Sequence, residues 1–145
     1  MPDPASVDAI RAAVEAMLPA TDGSPGAAEL GAERHVVEQA EGAMPGASEL
    51  IAALLNAYAE AVRPGAGFAA LSREERVQVL RTMYRDESAE IRAIVDTIQV
   101  FATGGMYSEW SGFDPRTREV RPPPTWAEVG YRGPVPGWPE YREDV

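Results

Sequence analysis

The sequence predicts an all-α protein, a bundle of about five helices followed by an extended C-terminal tail rich in proline and aromatic residues. Before Thr103, apolar residues recur at three- and four-residue steps through five separate stretches. Each of these stretches is bounded by capping or helix-breaking residues. Beyond Thr103 lie seven of the thirteen prolines and seven of the eleven aromatics, so the composition changes abruptly there. The expected organisation is a helical bundle over 1–103 and an extended arm over 104–145, the arm being either part of the same domain or wrapped on a partner.

The first helix is expected from Ser6, read as its N-cap, with Val7, Ile10, Ala13, Val14, Met17 and Leu18 on one face until Pro19 stops it. Thr21-Asp22-Gly23-Ser24-Pro25-Gly26 reads as a turn, and Pro25 suits the first position of a short helical piece reaching Leu30. A second helix over Ala32 to Ala43 turns Val36, Val37 and Ala40 inward and breaks at Pro45-Gly46. A third over Ser48 to Val62 presents Leu50, Ile51, Leu54, Leu55, Tyr58 and Val62, and ends at Pro64-Gly65-Ala66-Gly67. The fourth opens on Ser72 with Glu75 three residues later, a capping box, and carries Val77, Leu80, Met83 and Tyr84 as its stripe. The fifth spans roughly Glu87 to Phe101 through Ile91, Ile94, Val95 and Ile98, and Gly104-Gly105 is expected to end it.

Length and composition narrow the function. A chain of 145 residues with 45% hydrophobic content forms one ordinary domain, without room for a dinucleotide fold beside a second unit. It holds no cysteine, which excludes disulfides, thiolate metal sites and thiol catalysis. All thirteen basic residues are arginine, so Schiff-base chemistry and a P-loop lysine are excluded as well. A net charge of −10 opposes nucleic-acid binding, which needs a basic face. No stretch approaches the roughly 18 apolar residues of a membrane-spanning helix. The N-terminal residues carry acid before the first arginine and lead into an amphipathic segment, so neither a secretory nor a twin-arginine signal is expected.

No catalytic, cofactor or metal constellation stands out. His35 is the sole imidazole and has no serine, cysteine or second histidine within helical reach, so it reads as a surface or satisfied helix histidine rather than a catalytic one. The acid pairs Glu74-Glu75 and Asp86-Glu87 fall in first turns of helices, where negative charge complements the dipole. Glycines 65, 67, 104 and 105 form no strand-bounded phosphate loop, and Asp22 lacks the regularly spaced acids of a cation loop. The tail is more informative. Its prolines remove backbone donors, yet Tyr107, Trp110, Trp126, Tyr131 and Trp138 would each bury a large area if covered. An aromatic-studded tail must lie on something, either its own bundle or another protein, and arginines among tryptophans and tyrosines are also the composition of interface hot spots. These five aromatics are the candidate partner-binding residues.

Three segments, taken in order, carry a resemblance. Ala16 to Gly31 (Ala-Met-Leu-Pro-Ala-Thr-Asp-Gly-Ser-Pro-Gly-Ala-Ala-Glu-Leu-Gly), Phe68 to Arg76 (Phe-Ala-Ala-Leu-Ser-Arg-Glu-Glu-Arg) and Thr125 to Pro134 (Thr-Trp-Ala-Glu-Val-Gly-Tyr-Arg-Gly-Pro) resemble the gluconate 2-dehydrogenase subunit 3 family. Met106-Tyr107-Ser108 also matches that family's closing pattern, and the likeness runs from about Val7 to Tyr141. It implies a noncatalytic, stabilising small subunit of a heteromeric flavin dehydrogenase of the glucose–methanol–choline type, which oxidises sugars, sugar acids or other alcohols. FAD and the catalytic histidine would then lie on the large subunit. Family members often carry a twin-arginine signal, and some complexes add a multihaem cytochrome. The lack of a signal here favours a cytoplasmic complex over one exported by a signal-bearing partner, and argues against a cytochrome subunit. The alternative from the residues alone is a self-contained small helical enzyme or ligand-binding protein using His35, Asp22 or the tail aromatics.

Overall fold

The computed structural model describes residues 2–108, 113–114 and 116–132. The fold is all-α, built from α1 (Pro4–Met17), α2 (Glu33–Ala43), α3 (Ala47–Val62), a single 3-10 turn at Phe68–Ala70, α4 (Arg73–Tyr84), α5 (Ala89–Tyr107) and a short α6 (Pro124–Glu128). Between α5 and α6 two residue pairs form a minimal antiparallel ribbon, with β1 (Phe113–Asp114) opposite β2 (Glu119–Val120). Of the tail residues, Trp110 and Trp138 lie outside the described residues.

Helix α1 is the axis of the bundle and packs against α2, α3, α4 and α5. Its sequence explains why. Ile10, Ala13 and Val14 are fully buried, and Ala9, Ala12 and Ala16 are nearly so, which lets neighbouring backbones approach from several sides. Around it the core is closed by Val36 of α2, Leu55 of α3, Phe68 of the 3-10 turn, Val79 and Met83 of α4, and Ile98 of α5. Among the described residues no helix is long and apolar enough to cross a membrane.

Several elements depart from the sequence expectation. Helix α1 begins before Ser6: Asp3 is its N-cap, accepting from the Ser6 amide at 3.0 Å and the Ser6 hydroxyl at 2.6 Å, and Pro4 takes the first turn. Residues 27–32 form turns rather than a short helix, because Thr21 and Ser24 exchange backbone hydrogen bonds and Ala27 donates back to the Leu18 carbonyl at 2.9 Å. Leu50 is exposed, since Ala47, Ser48, Ile51, Ala52, Leu55 and Ala59 already form the buried face of α3. On α4 the buried set is Val79, Leu80 and Met83, and Tyr84 is left outside the stripe.

The largest departure concerns α5. Gly104 and Gly105 do not stop the helix, which continues to Tyr107. A Cβ on Gly105 would lie 2.8 Å from the His35 Cβ and 3.3 Å from Ala32 Cα, so glycine serves close crossing of α2 and α5 rather than a left-handed turn. The bundle therefore extends past residue 103, where the arm was expected to begin.

Helix junctions are closed by side chains from neighbouring elements. Gly46 precedes α3 with φ +84° and offers no side chain, and Glu41 of α2 instead accepts from the amides of Ser48 at 2.8 Å and Gly46 at 3.0 Å. The expected capping box at Ser72–Glu75 is present in both directions. Asn56 Oδ1 accepts from the Phe68 amide at 2.8 Å, which pins the 3-10 turn to α3. Tyr58 donates its hydroxyl to Asp86, which also accepts from the Ser88 amide at 2.8 Å and so ties α3 to the α4–α5 connection.

Candidate partner-binding site

The C-terminal end of α5 carries a clasp made by residues nineteen positions further along the chain. A helix ends with unpaired carbonyls, and two of those on α5 are taken up by side chains of α6. Thr125 Oγ1 donates to the Met106 carbonyl at 2.7 Å, and Trp126 Nε1 donates to the Tyr107 carbonyl at 2.8 Å. Pro123 and Thr125 are fully buried and Trp126 is 9% exposed, so these three side chains are the inward face of the clasp. Pro124 opens α6 at its first position, where a missing amide costs nothing. A third tie is remote in sequence: Ser24 donates its hydroxyl to Glu128 at 2.8 Å, joining α6 to the Thr21–Ser24 turn. Gly130, with φ +68°, then reverses the chain, and the Tyr131 amide donates back to the Trp126 carbonyl at 2.9 Å.

The outward face of this clasp exposes aromatic side chains. The Tyr131 ring stands edge-on to Trp126 with centroids 4.8 Å apart and remains 50% exposed. Tyr107, whose own carbonyl holds Trp126, is 41% exposed. Val100, Thr103 and Tyr107 follow one another at three- and four-residue steps along the solvent side of α5. From Thr97 to Ser108 the sequence contains no charged residue, although a quarter of the chain is charged. Val129 beyond α6 is also exposed. A surface with exposed aromatic side chains on a rigid helix end can bind another protein.

Of the five expected binding residues, the clasp brings together Tyr107, Trp126 and Tyr131, with Trp126 turned inward and the two tyrosines outward. Trp110 and Trp138 lie outside the described residues. The tail from residue 123 to 131 is not extended, as the prolines led us to expect, but forms α6 and its turn. Sequence reasoning missed Thr125, Val100 and Thr103. The charge-free run through α5 was the signal that could have found the last two.

Elsewhere several titratable groups join or pack the helices. His35 packs edge-on to Phe101 with centroids 6.3 Å apart, where α2 meets α5. Hydrogen bonding holds the carboxyls of Asp3, Glu41 and Asp86 below their usual range: from the Ser6 side chain and amide for Asp3, from the Ser48 and Gly46 amides for Glu41, and from the Tyr58 hydroxyl and Ser88 amide for Asp86. The same Asp86 contact pushes Tyr58 up. Among the described residues, no three His, Asp or Glu side chains converge to hold a metal ion.

The model of the gluconate 2-dehydrogenase subunit 3 family matches residues 4–114. The chain belongs to the gluconate 2-dehydrogenase subunit 3 family. Membership suggests a small subunit of a dehydrogenase complex. The match takes in all five bundle helices, including the Met106 and Tyr107 end of α5, and stops before α6. No curated protein and no solved structure matches the chain.

Proposed function

We propose that the chain is a noncatalytic small subunit that stabilises a heteromeric FAD-dependent sugar or alcohol dehydrogenase of the glucose–methanol–choline type, and that it holds the large catalytic subunit through the clasped end of α5. FAD and the proton-transferring residues belong, on this reading, to that partner. The observation that carries it is the exposure of Tyr107 and Tyr131 on either side of a buried Trp126, on a helix end stripped of charge. Trp126 is rigidly seated in its own chain, so the two tyrosines are presented to a partner with little ordering cost left to meet. Interfaces concentrate binding energy in such aromatic anchors, and truncating one typically costs about 2 kcal/mol or more.

Co-expression with the flavin-bearing subunit tests this. Tyr107→Ala with Tyr131→Ala should abolish co-purification of the pair and lower dehydrogenase activity in the lysate, whereas Met44→Ala, an equally exposed residue at the end of α2, should leave both unchanged. Equal recovery of the complex with both variants would defeat the proposal. The self-contained enzyme remains the alternative, and no observation favours it: His35 packs between two helices, and Asp22 sits within the Thr21–Ser24 turn.

A further inference from the structure

A second surface lies away from the clasp, where α1, α4 and α5 meet. There a groove of about 290 Å³ is floored by Leu80 and Val95 and walled by Met17, Val77 and Tyr84. Leu80 and Val95 are buried, but Tyr84 is 55% exposed and its hydroxyl makes no hydrogen bond among the described residues, so an aromatic ring stands open beside an apolar trench. Arg81 lines the groove and also the adjoining polar depression, with Thr82, Arg85 and Glu74. Neither the Arg81 nor the Arg85 guanidinium has a hydrogen bond or an ion pair among the described residues. They sit four residues apart, the spacing at which like charges on a helix repel. In a chain of net charge −10, where carboxylates outnumber arginines by 23 to 13, Arg81 borders the apolar trench and Arg85 lies beside it in the adjoining depression, which Glu74 also lines.

We propose that this groove docks a peptide segment of a partner protein, one that places an apolar anchor on Leu80, Val95 and Tyr84 and a carboxylate against Arg81 and Arg85. Charge selects this occupant. A second copy of the chain brings ten further net negative charges and a nucleic acid one at every phosphate with no apolar anchor to insert, whereas a short segment need bring only the carboxylate that the two arginines take. An acidic, apolar segment satisfies both halves of the surface together, since a guanidinium can take a carboxylate in bidentate contact. The segment is an element of a protein–protein contact separate from the Tyr107–Tyr131 surface, and its test needs no dehydrogenase subunit.

The experiment is selection of a random twelve-residue peptide library displayed on phage against the full chain, followed by fluorescence anisotropy with synthetic labelled peptides. Enriched sequences should pair Leu, Phe or Trp with Asp or Glu. Their affinity should fall at least tenfold on the double substitution Arg81→Glu with Arg85→Glu, and severalfold on Tyr84→Ala. A peptide with its acids exchanged for lysine should bind the doubly substituted chain better than the wild type, which a merely structural effect of the substitutions would not produce. All three residues are exposed, so the variants should keep the wild-type melting profile. The proposal is overturned if no sequence is enriched, if the enriched sequences lack carboxylates, if the substitutions leave affinity unchanged, or if binding depends on Tyr107 and Tyr131 instead. Retention on anionic phospholipid vesicles, without peptide binding, would likewise overturn it.

Discussion

Removing the Trp126 indole should open the clasp while leaving the bundle folded. A buried tryptophan covers about 200 Å², and at about 25 cal/mol per Å² the gross contribution is about 5 kcal/mol, an upper bound because the unfolded tail already hides part of that area. Most of this stabilisation is spent ordering the tail residues that follow β2, so the net closing free energy is smaller and Trp126→Ala exceeds it. Thr125→Val is the milder probe. It keeps the shape of a fully buried side chain but leaves the Met106 carbonyl without its partner, at a cost of about 1–3 kcal/mol. Hydrogen exchange followed by mass spectrometry reads both. In Trp126→Ala the amides of Val129, Gly130 and Tyr131, which donate within the clasp, should exchange at the rate of an open chain, while those of α1 and α3 keep their protection. In Thr125→Val the same amides should exchange faster by roughly one to two orders of magnitude, that cost expressed as an opening equilibrium. Unchanged exchange at 129–131 in both variants would refute the clasp as an anchoring element.

The neighbouring glycines of α5 should respond oppositely to alanine. Gly105→Ala forces its methyl against His35 and should destabilise the fold by about 1–3 kcal/mol, whereas Gly104→Ala meets only the His35 ring edge at 3.5 Å and should stabilise it by up to about 1 kcal/mol through helix propensity; urea denaturation compares them. Acid should unfold the chain through Asp3, Glu41 and Asp86. Their carboxyls are depressed in the fold, so their contribution is complete above the unfolded carboxylate range near pH 4 and is lost as pH falls through the folded values. Asp86→Asn with Glu41→Gln should flatten the acid limb of a melting-temperature profile, and an unaltered limb would contradict this.

What was legible in the sequence is what depends on residues a few positions apart. The Ser72–Glu75 box, the stops at Pro19 and Pro45-Gly46, and the periodic stripes through Ile10, Leu55 and Ile98 are local signals, and each stands in the structure. The errors lie where a distant partner overrides a local preference. Gly104-Gly105 carries the composition of a helix stop, yet the approach of His35 and Ala32 makes it a helix crossing. Ser6 and Asp3 are both good N-caps, and only the actual helix start decides between them. Tyr84 fits the period of α4 but borders the groove, because α1 and α5 do not close over it. At the binding site, the sequence marked the right class of residue without its direction. Trp126 and Tyr131 are alike in composition terms, and it is the Met106 and Tyr107 carbonyls, nineteen residues back, that draw Thr125 and Trp126 inward and leave Tyr131 outside.

The central claim, that the clasped end of α5 is the surface held by the catalytic subunit, is tested most directly by hydroxyl-radical footprinting of the chain alone and in complex with that subunit. Oxidation of Tyr107 and Tyr131 should fall severalfold on complex formation, while Met44, half exposed at the end of α2, keeps its reactivity. Undiminished oxidation of both tyrosines in a formed complex would contradict the account.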